Sequence, residues 1–158
     1  QAIDDGCVVI TYNKIYGKDK LDKFIESTGI NSKNRKEGKI RIVQSTVEGD
    51  LIIKDLEYKK EERLDGCLEM DKTGYILTVD NTRDKFSADK DRKIAVDDDI
   101  PAVFYGIIKE EKEDDIHIVL ALYAEIDYVS GDGKIYKEIE VCTYPKRLEN
   151  MNSNTIQN

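Results

Sequence analysis

From Lys39 to Val79 the apolar residues recur with a period of two, and that periodicity restricts this part of the chain to β-structure. Ile40 and Ile42 alternate with Arg41 and Val43 in a run that continues to Val47. A strand places successive side chains on opposite faces, so such a run buries one face and leaves the other to solvent. Glu48-Gly49-Asp50 supplies a turn in which Gly49 is free to take positive φ, and Leu51 to Tyr58 returns as the second arm of a hairpin. Arg63 to Met70 and Tyr75 to Val79 read as further strands, separated by the polar turns Lys59 to Glu62 and Asp71 to Gly74. The expected outcome is an antiparallel meander of up to four strands.

Ahead of the meander, Cys7 to Tyr12 is β-branched and apolar and reads as a strand. One helix follows. Leu21, Phe24, Ile25 and Thr28 fall at i, i+3, i+4 and i+7, with Asp19 placed as the cap, Asp22 in the first turn and Gly29 as the stop. Ile30 to Gly38 is a polar connector. Asp80 to Pro101 loses the apolar pattern and reads as a long surface loop anchored by Phe86. Ala102 to Ile108, Ile116 to Tyr123 and Lys134 to Tyr144 then form a second meander. The reading is an α+β fold: one N-terminal amphipathic helix packed on a mainly antiparallel sheet, with two meanders forming one sheet or a partial barrel. Residues 1–148 make a single domain, and 149–158 a frayed tail.

The charge balance narrows the partners. A formal net charge of −8 opposes binding to phosphate backbones, so nucleic acid is excluded as a partner. No run reaches the roughly 18 apolar residues of a membrane span. The chain starts at Gln1 rather than methionine, the form expected of a trimmed, exported product. Cys7, Cys67 and Cys142 lack the paired spacing and neighbouring histidines of a zinc site. They read as small buried hydrophobes, with one disulfide, such as Cys67 to Cys142, left open.

Candidate chemistry is sparse. His117 is the single histidine and lies between Ile116 and Ile118 on a strand, the usual setting of a structural side chain. No phosphate loop, nucleophile elbow or dinucleotide fingerprint occurs. Asp97-Asp98-Asp99 and the segment from Asp127 to Asp132 gather carboxylates, but neither has the spacing of a calcium loop, so no cofactor is expected and calcium is the alternative. Nine tyrosines are spread over nearly every strand, as core residues or as a binding platform. The turns that combine charge with special backbone geometry carry Glu48 and Asp50, and Asp80, Arg83 and Asp84, which together form the candidate ligand surface. No residue is assigned a catalytic or metal-binding role.

Lys20-Leu21-Asp22-Lys23-Phe24-Ile25-Glu26, Arg41-Ile42-Val43, Thr46-Val47-Glu48-Gly49-Asp50, Asp55-Leu56-Glu57-Tyr58 and Asp80-Asn81-Thr82-Arg83-Asp84-Lys85-Phe86 carry a resemblance. Over residues 6–92 the chain resembles a family of uncharacterised lipoproteins of Firmicutes, known as a domain of unknown function. The stretch Lys59 to Lys72 departs from it, being longer than the family's usual hairpin. The resemblance implies an extracytoplasmic protein on a Gram-positive cell surface, tethered by a lipidated cysteine upstream of Gln1. The function expected is non-catalytic binding of a protein, peptide or cell-envelope component. A carboxylate-based hydrolase and a calcium-dependent binder are the alternatives.

Overall fold

A computed structural model describes residues 2–29, 32–60, 74–86, 93–94, 106–126 and 133–149. The chain forms β1 (Val8–Ile10), β2 (Ile15–Tyr16), α1 (Lys18–Thr28), β3 (Gly38–Ser45), β4 (Leu51–Lys59), β5 (Gly74–Asp80) and β6 (Lys93–Ile94). Then come β7 (Gly106–Lys112), β8 (Asp115–Ile126), β9 (Gly133–Pro145) and a 3-10 turn, Lys146–Leu148. The described strands make two sheets, of order β2-β1-β3-β4-β5-β6 and β7-β8-β9. The mainly β character, and the single α-helix among the described residues, agree with expectation. The second meander, however, builds its own sheet, and neither sheet closes into a barrel.

Within the larger sheet, β1 lies parallel to β3, Val8 opposite Ile42, while its other pairings are antiparallel. Parallel neighbours need a crossover, which here contains β2 and α1. The β3–β4 hairpin has the expected register, Ser45 opposite Leu51 and Arg41 opposite Asp55. β4 pairs directly with β5, Tyr58 opposite Tyr75, so no strand lies between them, and Arg63 to Met70 falls outside the described residues. The expected loop after Asp80 instead returns Lys93–Ile94 to the edge of β5. Phe86 is no anchor, being 76% exposed.

The pleat sorts this sheet into two chemistries. Ile40, Leu56 and Leu77 share one row, and Tyr58 and Tyr75 face each other in the next; all are buried. Leu21, Phe24 and Thr28 bring α1 onto this face, where Phe24 meets Tyr75 edge-on at 6.3 Å. The same face receives the smaller sheet, whose Ile107, Ile116, Ile118, Leu120, Cys142 and Tyr144 join the same core. Each such side chain buried contributes roughly 1.5–3 kcal/mol, so the shared core is the main source of cohesion between the layers.

Both ends of α1 depart from simple capping. Gly17, not Asp19, is the N-cap; its φ is 70° and no side chain caps the helix. Added there, a Cβ would sit 3.0 Å from the Cys7 carbonyl oxygen, so the tight exit from β2 requires glycine. Asp19 lies in the first turn, 3.8 Å from Lys23. At the other end Arg35 Nε donates to the Thr28 carbonyl at 2.6 Å, and its guanidinium lies 4.4 Å from the Tyr58 ring centre. The polar connector is thereby bound to the helix terminus, where a cation is favoured.

Candidate functional site

The two turns named from sequence do meet. Thr46 N–H donates to the Asp50 carbonyl at 2.8 Å and Gly49 N–H to the Thr46 carbonyl at 3.1 Å, closing the β3–β4 loop with Gly49 at φ 88°. Asp50 then reaches across. Its Oδ2 accepts from the backbone N–H of Lys85 at 3.1 Å, and its Oδ1 lies 3.5 Å from Lys85 Nζ. Within the second turn Asp80 Oδ1 accepts from the Thr82 N–H and hydroxyl at 3.1 and 2.7 Å, Arg83 lies 3.5 Å from Asp80, and Asp84 Oδ1 accepts from Phe86 N–H at 2.9 Å. Asp50, Asp80 and Asp84 therefore act as acceptors that shape the turns. Glu48 is exposed in the first turn, which also presents Val47, 93% exposed.

Asp80 and Arg83 also line a cleft of about 170 Å³ together with Arg41, Ile53, Asp55 and Thr78. Its wall is a cross-strand pair: Arg41 Nε and Nη2 donate to Asp55 Oδ1 and Oδ2, both at 2.7 Å. This two-pronged pairing matches the guanidinium fork to the carboxylate and offsets the desolvation of Asp55, which is buried. Sequence reasoning missed the pair. A signal existed, because Arg41 and Asp55 are equidistant from Glu48 and so become partners once the hairpin register is set. A second cleft, of about 650 Å³, also borders the pair and is lined by Arg41 and Asp55 together with residues of the N-terminal turn (2–6), α1 and β3.

His117 is placed differently. Its Nδ1 faces Glu140 Oε2 at 2.9 Å and Thr143 Oγ1 at 3.1 Å. A catalytic relay needs the carboxylate on one ring nitrogen and the nucleophile on the other, whereas both partners here meet the same nitrogen. Burial would push the Glu140 carboxyl up, but hydrogen bonds from Thr143 and His117 outweigh it and hold the carboxyl below its usual range. Cys7 and Cys142 are free thiols; Cys142 is buried as expected, whereas Cys7 is only half-buried, and Cys67 lies outside the described residues. Of the tyrosines, Tyr58, Tyr75 and Tyr144 belong to the core, while Tyr12 is exposed.

Among the described residues no three or more His, Cys, Asp and Glu side chains are grouped to hold a metal ion. Asp97 to Asp99 and 127–132 lie outside those residues. Among the described residues no helix is long and apolar enough to cross a membrane. A family model described as a domain of unknown function, DUF4362, matches residues 5–117. No curated protein and no solved structure matches the chain.

Proposed function

The chain belongs to the DUF4362 family, a domain of unknown function, and from that premise we propose that it is a non-catalytic binding module that captures a peptide or protein segment at the joined turns. The observation that carries this reading is the Asp50–Lys85 link, which holds two turns together while Val47 and Phe86 stay exposed on them. Large apolar side chains kept in water by a hydrogen-bonded frame are a feature of recognition surfaces. Glu48 and Asp84 beside them favour a segment that combines apolar anchors with basic residues.

The resemblance to Firmicutes lipoproteins supports placing this module outside the cell, lipid-anchored on a Gram-positive surface. The hydrolase alternative is disfavoured by the engagement of Asp50, Asp80 and Asp84 with turn backbone, since a general acid or base needs a carboxyl group open to substrate.

Panning of a random peptide library against the immobilised protein tests the reading. Enrichment of basic, apolar peptides whose binding is lost in both Val47→Asp and Phe86→Asp supports it. Failure to enrich any sequence over a blank surface, or binding indifferent to both substitutions, rejects it.

A further inference from the structure

The larger cleft has a chemistry of its own, independent of the joined turns. It measures about 650 Å³, and its charged lining is Asp5, Lys20, Lys39, Arg41 and Asp55. That volume falls among those of small-molecule sites, roughly 300–1,000 Å³. Three cations and two carboxylates line it, and the Arg41–Asp55 pair cancels one of each. Lys20 and Lys39 against Asp5 then leave the lining with one excess positive charge, in a chain whose net charge is −8.

The two lysines differ in how they are held. Lys20 Nζ donates to the Gly6 carbonyl at 3.0 Å, which fixes the ammonium at the mouth of the N-terminal turn and leaves it two further donors. Lys39 projects from β3 and makes no ion pair among the described residues. Phe24 and Ile40, both buried, contribute apolar surface to the same cleft. Cations above an apolar lining are complementary to an anionic head on a hydrocarbon body. The acidity of the rest of the chain argues against a long polyanion, which would extend beyond the cleft into repulsion.

We propose that this cleft binds a small oxyanion, carboxylate or phosphate, borne on an apolar body. Lys39 and Lys20 receive the anion, and the hydrocarbon lies against Phe24 and Ile40.

Backbone amide NMR titration of the full chain with hexanoate, hexyl phosphate and 1-hexanol tests this. Saturable shifts at Gly6, Cys7, Lys39, Ile40 and Arg41 with either anion, and not with hexanol, support the site. Response to one anion alone identifies the head group as carboxylate or phosphate. In Lys39→Glu the dissociation constant should rise about tenfold or more, and Lys39→Gln, gentler to the strand, should give a smaller rise in the same direction. The proposal is overturned if neither anion moves these amides, if hexanol moves them equally, or if the Lys39→Gln and Lys39→Glu constants match the parent.

Discussion

Lys54, on the larger sheet, donates from Nζ to the carbonyl oxygen of Val141, on the smaller sheet, at 2.6 Å. Lys54 stands in a core-facing row, opposite Ile42 on one side and Val79 on the other. Val141 is skipped in the β8–β9 register, where Ile118 pairs with Cys142 and Val119 with Glu140. Such a bulge removes a carbonyl from the ladder, and the half-buried lysine satisfies it.

Burial lowers the Lys54 pKa below 10.5, against the opposing pull of Cys142 and Glu140. Just below pH 10.5 the unfolded chain therefore binds more protons than the folded one, so this residue makes stability rise with pH across that window. Urea unfolding from about pH 8 to about pH 10 should show the parent gaining on Lys54→Met as pH rises. A difference that stays flat with pH would mean that Lys54 is not buried between the sheets.

Removing the fork at Arg41 should be costly. Arg41→Ala leaves the buried Asp55 carboxylate without two donors, and the expected loss is about 1–3 kcal/mol in chemical unfolding. Arg41→Lys keeps the charge but not the planar fork, and should fall between the parent and the alanine variant.

Glu149 closes the end of the described chain. It accepts from Tyr144 Oη at 2.7 Å, lies 3.4 Å from Lys18 and pairs with Lys109, which also reaches Asp22 on α1. Burial would push its carboxyl up, but hydrogen bonds from Lys109 and Tyr144 and the two ammonium charges outweigh it and hold the pKa below 4.5. The resulting stability is present above 4.5 and is lost as pH falls through the folded-state value. Glu149→Gln should cost about 1 kcal/mol at neutral pH, a small figure because solvent screens the network's outer side. The variant should also show a flatter acid limb in pH-dependent unfolding.

Cys142 should be chemically silent in the folded protein. Burial pushes its thiol up to about 12, far from the thiolate that reacts. In a Cys7→Ser, Cys67→Ser background, maleimide labelling of Cys142 should be about a hundredfold or more slower in the native state than in urea. Labelling at the unfolded rate without denaturant would contradict the packing of β9 against the core.

Much of the architecture was legible because its signals are local. The alternation of Ile40 and Ile42 with Arg41, the turn at Gly49 and the helical spacing of Leu21, Phe24 and Thr28 all depend on neighbours a few residues away. The same holds for the turn acids, since Asp80 and Asp84 bond within their own turn. The Asp50–Lys85 contact could be suspected but not drawn, because it joins turns 35 residues apart.

The sequence by itself determined which residues pair into strands on either side of Gly49, which face of α1 is apolar, and which turns carry charge. Only the tertiary structure decided that β1 runs parallel to β3, that the last three strands form a separate sheet, and that both that sheet and the helix share one face of the larger sheet. It also decided that a lysine lies in the core phase of β4. Its ammonium donates to a carbonyl freed by a bulge 87 residues away, with Gln44 Oε1 on the neighbouring strand a longer second acceptor at 3.4 Å. Strand formation follows from the alternation of neighbouring residues, whereas satisfying a buried charge depends on what the fold brings alongside it.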